Sequence, residues 1–413
     1  MFPRFQATAI SDALADTPVV VLEGARQVGK STLAQHLAAS LTQRVAHVTL
    51  DDEPMRHFAQ SDPVGFVAQA DDGLLIVDEA QRAPEIILPL KANVDRDRRP
   101  GRFLLTGSAD LLRVKGVGDS LAGRAERVDL WPLSQGELAS RSEPEDFIAD
   151  LLRFAGEPWP RVGALDPHSV LAGGYPEATQ RDGRRRERWV RAYVEALAGH
   201  DARELREGAF ADELGKLVRI LGAGGMGELV VAKLARDLDV AQTTASSYLR
   251  TLASMHLLHE LPAWGRGARG RVVRRPKVGL VDTGLSAGLS NLRTDNLAQP
   301  GRREQYGALV EQFVAAELAK QRGWSSEQFD LHHFRDRDGL EVDIVVELAD
   351  GALVAIEVKS GRTVTATAWA NLTKFKERFP DRAVTGVVLH GGDFAMTMHG
   401  WLHVLPIPAL WER

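Results

Sequence analysis

The chain contains no cysteine among its 413 residues. This absence excludes disulfide bonds, thiolate metal sites and a cysteine nucleophile. An excess of positive charge is also missing, because 51 basic residues stand against 56 acidic ones and the formal net charge is -5. Any surface that binds nucleic acid must therefore be local and cannot cover the whole molecule.

Long apolar runs are absent as well. No stretch approaches the ~20 consecutive apolar residues that a membrane-spanning helix needs. The N-terminus shows no basic segment followed by an apolar core and a cleavage site. We therefore expect a soluble, cytoplasmic protein. Its length is sufficient for two or three domains of roughly 100–200 residues each.

Alternating strand and helix patterns occupy the first third of the chain. Short apolar runs at 18–22, 44–50, 73–80 and 102–108 are typical of strands buried on both faces of a parallel sheet. Helical stretches separate them, and this alternation predicts an open α/β sheet. The segment WPLS at 131–134 indicates a boundary, so the first predicted domain covers 1–134.

Mainly helical patterns follow from about 135 and include a segment at 229–258 that looks like a helix-turn-helix. Beyond about 300 the pattern changes again. A helix at 306–321 precedes two strands, LEVDIVVEL and ALVAIEVKS, which are joined by a turn at Asp350 and Gly351. The second and third predicted domains are therefore 135–300 and 301–413.

One motif near the N-terminus carries the strongest chemical signal. The segment GARQVGKST matches G-x-x-x-x-G-K-[ST] in full, after a buried strand and at the start of a helix. Its backbone N–H groups and the helix N-terminus are expected to surround the phosphates of ATP. Lys30 would reach the β- and γ-phosphates, and the Ser31 hydroxyl would ligate Mg²⁺. The predicted nucleotide-binding residues are Gly24, Ala25, Arg26, Gln27, Val28, Gly29, Lys30, Ser31, Thr32 and Asp78.

The segment LLIVDEAQ at 74–81 indicates hydrolysis as well as binding. Asp78 at the end of a buried strand is placed to hold Mg²⁺, and Glu79 is placed to polarise the attacking water. The alternative is an Asp-Glu pair that merely starts a helix, since acids favour the first helical turn. The P-loop some 50 residues upstream favours the catalytic interpretation.

Three further residues are candidates for the catalytic step. In FLLTGSADLL, Thr106 or Ser108 would orient the water or sense the γ-phosphate, although a helix N-cap at Ser108 is an equal alternative. Arg124 in SLAGRAERVDL is a candidate arginine finger, acting within its own chain or on a neighbour in a homo-oligomer. A solvated surface arginine is the alternative for Arg124.

Together, GARQVGKST, LLIVDEAQRAPE, LLTGSADLL and SLAGRAERVDLWPLSQGEL resemble the prokaryotic AAA-like ATPases that carry an uncharacterised C-terminal domain. The segments GGYPEA, RRPKVGLVDTGL and YGALVEQFVAAEL and the two C-terminal strands extend the resemblance over nearly the whole chain. The resemblance implies an AAA-type parallel sheet, a winged-helix-like middle and a C-terminal α/β domain of the restriction-endonuclease kind.

A second group of candidate residues lies in the last third of the chain. Glu311, Asp343, Glu357 and Lys359 resemble the PD-(D/E)XK nuclease pattern, with an acid on a helix and Glu-x-Lys on one strand face. The three acids would hold Mg²⁺ or Mn²⁺ for phosphodiester cleavage, and Lys359 would stabilise charge. Surface ion pairs, or a nuclease fold that has lost its activity, are the alternatives.

The stretch 264–277 is rich in basic residues, contains no acid and lies where a winged helix would place its wing. It would contact DNA phosphates, with Trp264 stacking on a base, although a solvated loop is equally compatible. The leading hypothesis is a Mg²⁺-dependent ATPase coupled to DNA binding and cleavage. The alternative is a regulatory or assembly ATPase with an inert nuclease-like module. The basic residues of the stretch 264–277 are Arg266, Arg269, Arg271, Arg274, Arg275 and Lys277.

Overall fold

The computed structural model describes residues 2–108, 121–154, 159–201, 210–265 and 275–412. The chain divides into two compact units. The first comprises Met1–Leu133 with Leu252–Leu257, and the second comprises Ser134–Thr251 with Leu258–Arg413. The division into three domains at 134 and 300 stays a prediction.

Helices and strands alternate along the first unit. They are α1 (Gln6–Asp16), β1 (Val19–Glu23), α2 (Lys30–Ser40), β2 (Val45–Thr49), α3 (Glu53–Ser61), α4 (Pro63–Val67), β3 (Leu74–Asp78), α5 (Ile87–Arg96), β4 (Phe103–Gly107) and β5 (Ala125–Asp129). The strands form one parallel sheet in the order β2-β3-β4-β1-β5. The N-terminal parallel sheet predicted from the apolar runs is confirmed.

Burial explains why these strands form the centre of the unit. Every residue of β1, β3 and β4 is buried, as expected for strands that helices cover on both faces. All five strands run in one direction, so their carboxyl ends meet at one edge of the sheet. Because β4 lies between β1 and β3, its last residues separate the segment after β1 from the acids that end β3.

The second unit is richer in helices. Its elements are α6 (Gln135–Leu138), α7 (Phe147–Arg153), α8 (Pro167–Ala172), α9 (Pro176–Thr179), α10 (Gly183–Ala196), α11 (Phe210–Gly224), β6 (Gly227–Glu228), α12 (Val231–Leu238), α13 (Gln242–Ser254, of which the last three residues belong to the first unit), β7 (Leu258–Leu261), β8 (Lys277–Leu280), α14 (Thr283–Ser290), α15 (Arg302–Gln321), β9 (Phe329–Arg335), β10 (Glu341–Leu348), β11 (Leu353–Lys359), α16 (Ala370–Arg378), β12 (Val384–His390), β13 (Met396–Met398) and β14 (Leu402–Pro406). Across the described ranges, no helix combines the length and the apolar character that crossing a membrane requires.

Two sheets organise these elements. A small antiparallel sheet has the order β6-β8-β7, and a six-stranded mixed sheet has the order β13-β14-β12-β11-β10-β9. Strands β10 and β11 pair antiparallel, as the sequence predicts, and Gly351 in their turn takes a φ of +86°. This left-handed conformation favours glycine, which explains the Asp-Gly turn.

Trp264 is a core residue. Its side chain is 1% exposed, and its ring centroid lies 4.8 to 6.2 Å from those of Phe334, Phe375 and Phe379. The prediction that Trp264 stacks on a base is therefore wrong. The polar sequence around this residue concealed its apolar environment. Four basic residues of the same stretch lie outside the described residues: Arg266, Arg269, Arg271 and Arg274.

Glu145 is a buried carboxyl group in the second unit. A Cβ atom at position 136 would lie 2.0 Å from Glu145 Oε2, so glycine at this position makes room for the carboxyl group. Burial, together with the carboxylates of Glu317 and Glu137, raises the pKa of Glu145 to about 7, and the Ser134 hydroxyl opposes this rise only in part.

The raised pKa of Glu145 makes stability depend on pH. In the unfolded chain Glu145 ionises near 4.5, whereas the folded chain retains the proton to about pH 7, so folding stability falls as the pH rises between these values. Glutamine stays neutral at every pH. We therefore expect the unfolding free energy of Glu145→Gln, relative to that of the wild type, to increase by about 2 kcal/mol as the pH rises from about 5 to about 8. Urea unfolding at both pH values measures this gain.

The matched control is Glu143→Gln, because Glu143 is an exposed acid only two positions away. Its effect on unfolding should be small and the same at both pH values. A stability difference between wild type and Glu145→Gln that does not change with pH would contradict the assignment.

Candidate active site

A tight loop joins β1 to α2 and contains the predicted phosphate-binding residues. A Cβ atom at Gly24 would lie 2.3 Å from the carbonyl oxygen of Leu130, so only glycine fits. Gly29 takes a φ of +101°, a left-handed conformation that favours glycine, and Gln27 is left-handed as well. No described side chain caps α2 at Gly29, so the first N–H groups of α2 remain directed toward the loop.

Lys30, the first residue of α2, lies inside this loop. Its Nζ donates hydrogen bonds to the carbonyl oxygens of Gly24 at 2.9 Å and Ala25 at 3.0 Å. Burial lowers the pKa of Lys30 to about 8, against the opposing effect of the nearby Glu79 and Asp78. The ammonium group is therefore held where an anion enclosed by the loop would meet it. Ser31 follows it on the same turn and is half-buried.

Thr106 connects the two acids at the end of β3. Its buried hydroxyl donates to Asp78 Oδ1 and accepts the backbone N–H of Glu79 at 3.2 Å. Glu79 takes a φ of +56°, which is uncommon for a non-glycine residue and often marks a functional position. Its carboxylate accepts hydrogen bonds from Ser108 Oγ at 2.8 Å and from the Gln81 amide.

The structure thus brings the predicted hydrolytic residues to one edge of the sheet. Thr106 lies against Asp78, and Ser108 lies against Glu79. The sequence identified both polar residues as candidates but could not assign each to its acid. Gln81 was missed, although it stands in the same LLIVDEAQ segment that contains the two acids.

Arg4 is a second residue that the sequence did not single out. One nitrogen of its guanidinium group donates to the carbonyl oxygen of Val28 at 2.7 Å, and another donates to that of Trp131 at 2.6 Å. Arg4 therefore braces the phosphate loop from the N-terminal segment. A lone arginine far upstream of the motif gives no pattern that could have revealed this contact.

Arg124 lies at the opposite edge of the sheet. Its carbonyl accepts the N–H of Val19, the first residue of β1, whereas the phosphate loop follows the last residue of that strand. A five-residue strand spans roughly 16 Å. The guanidinium group also bonds both carboxylate oxygens of Asp95, at 2.7 and 3.0 Å. Arg124 therefore does not meet the nucleotide loop of its own chain, and a role as an arginine finger would require a neighbouring chain.

The four candidate residues of the C-terminal constellation lie close together in the second unit. Asp343 Oδ2 accepts the N–H of Val358 at 2.9 Å, and Lys359 Nζ lies 2.6 Å from Glu357 Oε1. Burial raises the pKa of Glu311 to about 8 and that of Glu357 to about 7, and Asp343 adds to both shifts. Burial also raises the pKa of Asp343. The pattern therefore predicted a real spatial cluster.

Lys277 is an unexpected member of this acidic cluster. Its side chain is 5% exposed, and its Nζ lies 2.7 Å from Glu311 Oε1, 3.0 Å from Glu341 Oε1 and 4.0 Å from Asp343 Oδ1. Burial alone would lower the pKa of Lys277, but the carboxylates of Glu311 and Asp343 raise it above its ordinary value. The prediction that Lys277 contacts DNA phosphates is therefore wrong, because its ammonium group is buried among acids.

The acidic cluster does not fit the predicted metal in this arrangement. Among the residues that the structure describes, no group of three or more His, Asp or Glu side chains could hold a metal ion. A metal ligated by Glu311 would compete for Glu311 Oε1, and this oxygen already accepts a hydrogen bond from Lys277 Nζ. Metal ligation by Glu311, Asp343 and Glu357 therefore stays a prediction, and the contacts observed in the cluster leave no place for the metal.

Comparison with known proteins divides the chain into three matched segments. Residues 16–139 match a family model described as an AAA domain. Residues 167–296 match a domain of unknown function (DUF8612), and residues 306–410 match another domain of unknown function (DUF4143).

Solved structures show partial likeness. The Walker-type ATPase PABY2304 of Pyrococcus abyssi aligns with a TM-score of 0.42 and 15% identity, covering 70% of this chain and 96% of that one. The RuvB Holliday junction branch migration motor of Thermotoga maritima aligns with a TM-score of 0.30 and 18% identity, covering 65% and 91%. Likeness of this extent carries no argument about function.

Two curated proteins show a closer relationship. The Uncharacterized proteins Rv2008c of Mycobacterium tuberculosis and Mb2031c of Mycobacterium bovis are each 33% identical over 362 residues. Each match covers 87% of this chain and 74% of the relative. Together with the AAA domain match and the P-loop on its parallel sheet, this similarity shows that the chain belongs to the family of these two mycobacterial proteins and is an AAA-like P-loop ATPase.

Proposed function

We propose that the first unit hydrolyses ATP with Lys30, Ser31, Asp78 and Glu79 as its working residues. The observation that carries this proposal is the contact of Thr106 with both acids at the edge where the phosphate loop also begins. Lys30 exchanges its bonds to the Gly24 and Ala25 carbonyls for bonds to phosphate oxygens. An adjacent phosphate favours the charged form of Lys30 and so reverses the effect of burial on its pKa.

The oxygen atoms near the loop fit a magnesium ion. Ser31 offers a hydroxyl, and Asp78 offers a buried carboxylate of which Thr106 engages one oxygen, and these are the ligand types that Mg²⁺ prefers. When bound, Mg²⁺ neutralises charge that develops on the β- and γ-phosphates. Glu79 accepts a proton from the attacking water, and Ser108 holds its carboxylate at the end of β3.

The roles of Lys30 and Glu79 can be separated by substitution. We expect Glu79→Gln to bind ATP normally but to lose about 10²–10⁴-fold in kcat, since it removes the general base. Lys30→Ala should lose ATP affinity as well, because it removes the buried cation from the loop. Phosphate release and titration with ATP measure the two effects.

Glu85→Gln is the matched control for Glu79→Gln, because Glu85 is an exposed acid soon after the same strand. It should hydrolyse ATP at the wild-type rate. Hydrolysis that is unchanged in both Lys30→Ala and Glu79→Gln would refute the proposed site.

Thr106 is expected to act through the acids that it positions. Thr106→Val keeps the shape of the side chain but leaves Asp78 and the Glu79 N–H without the hydroxyl, so we expect kcat to fall about 10-fold. The Mg²⁺ concentration for half-maximal rate should rise, because Asp78 is no longer oriented. Thr106→Ser, which retains the hydroxyl, should recover both. A Thr106→Val enzyme with wild-type magnesium dependence would argue against this role.

A second candidate function is nucleic-acid binding by the middle of the chain. The elements of this region follow one another as in a winged helix, in the order α11, β6, α12, α13, β7, β8. Strand β8 lies between β6 and β7 in an antiparallel sheet. In such a domain α13 would be the recognition helix. It contains no acid and exposes Gln242, Thr243 and Arg250, which are suitable for contacts with phosphates and base edges.

Charge reversal on α13 tests this candidate. We expect Arg250→Glu to weaken binding of a short labelled DNA duplex about 10-fold at low salt and to reduce the salt dependence by about one counter-ion. Fluorescence anisotropy at several salt concentrations measures both quantities. Arg185→Glu is the matched control, since Arg185 is an exposed arginine on α10. Equal weakening by both variants, or no binding by the wild type, would contradict the proposal.

For the C-terminal region the geometry favours the interaction module over the active nuclease. The order of α15, β9, β10 and β11 is compatible with a nuclease-like fold, and Glu311 lies on α15, Asp343 on β10, and Glu357 and Lys359 on β11. However, the Lys277 ammonium group already pairs with Glu311 and lies 4.0 Å from Asp343 Oδ1. We therefore propose a regulatory ATPase that binds DNA and in which DNA cleavage does not occur while Lys277 remains in the cluster.

A further inference from the structure

We propose that Lys277 is a built-in counter-ion that closes the acidic cluster to divalent metal ions, so that Mn²⁺ or Mg²⁺ binds there only after Lys277 has withdrawn. The inference rests on the proposed nuclease-like fold of the C-terminal region. It adds the regulation of that site, because it identifies one side chain whose position decides whether the acids can serve as metal ligands.

The first argument concerns the central position of this ammonium group. Within the described part of the cluster, Lys277 Nζ lies within 4.0 Å of three carboxylates, those of Glu311, Glu341 and Asp343. Among the acids that the structure describes, Lys359 pairs with Glu357 alone, and it is 39% exposed, against 5% for Lys277. Lys277 is therefore the buried cation of the cluster, whereas Lys359 lies at its rim.

The second argument concerns competition for the same oxygen atoms. A divalent ion needs carboxylate oxygens at about 2.0–2.6 Å, and Glu311 Oε1 already accepts a hydrogen bond from Lys277 at 2.7 Å. A metal bound to Glu311 and Asp343 would therefore lie within a few ångströms of the ammonium group. Two cations this close in a buried site repel each other strongly, so occupation by one excludes the other.

The third argument concerns the way in which Lys277 is held. It is the first residue of β8, and its backbone pairs with Glu228 of β6 on one side and Leu261 of β7 on the other. The backbone is thus fixed between two strands, while the long side chain can change rotamer. Withdrawal of Lys277 therefore requires only side-chain movement, and the carboxylates need not be rebuilt.

The test is Mn²⁺ binding to the full-length, nucleotide-free protein, measured by calorimetry and by the electron paramagnetic resonance signal of free Mn²⁺. Lys277→Met removes the charge and keeps the length of the side chain. We expect it to bind Mn²⁺ at least ~10-fold more tightly than the wild type. Lys277→Arg keeps the charge and should behave as the wild type does. Adding Asp343→Asn to Lys277→Met should abolish the gain.

Two outcomes would overturn the proposal. One is tight Mn²⁺ binding by the wild type, which would show that Lys277 does not close the cluster. The other is no gain in Lys277→Met or in the second neutral variant Lys277→Gln, with circular dichroism showing that at least one of them is folded. Phosphate release from ATP by the wild type, measured in parallel, reports on the proposed ATPase site alone, so that failure of the two proposals can be told apart.

Discussion

The position of β4 between β1 and β3 is the constraint on which the nucleotide site depends. All five strands of this sheet are parallel, so the phosphate loop after β1 and the acids that end β3 reach the same edge. β4 fills the space between them and supplies Thr106, whose hydroxyl contacts Asp78 and the Glu79 N–H. A buried hydroxyl that both donates and accepts fixes two acids at once, and a side chain without a hydroxyl at this position, such as valine, would leave both partners unsatisfied.

Two buried lysines show how the same side chain serves opposite purposes. Lys30 is surrounded by the carbonyl oxygens of its own loop, and burial lowers its pKa to about 8. Carbonyl dipoles satisfy the N–H donors without supplying a full negative charge, so an arriving phosphate improves the environment of Lys30. Lys277 already has its anions in Glu311 and Glu341, which raise its pKa. The first lysine is thus ready for an anionic ligand, and the second is already neutralised.

Local patterns predicted the parallel sheet, the phosphate loop and the β10–β11 pair, because each depends on spacing along a short segment. The acidic cluster was also foreseen, since Asp343 and Glu357 stand at defined positions on paired strands. Contacts between segments that are distant along the chain were not predicted. Arg4 contacts Val28 although α1 and β1 separate them along the chain, and no periodicity connects the two residues. Which acid Thr106 would meet depends on the strand order, and a sequence of alternating strands does not specify that order.

The two end residues of the stretch 264–277 were wrongly predicted to contact DNA, because the stretch as a whole is rich in basic residues. Both end residues belong to the interior: Trp264 packs among three phenylalanines, and Lys277 begins a strand whose side chain enters the acidic cluster. A run of like charges suggests a solvated surface, but the strands on either side decide where the terminal residues point. The backbone at 277 is held by pairing with two strands, but its side chain is held by ion pairs, for which another cation would compete. The apolar side chain at 264 has no such competitor. At 277 it is therefore the side chain, and not the backbone, for which a second cation would compete.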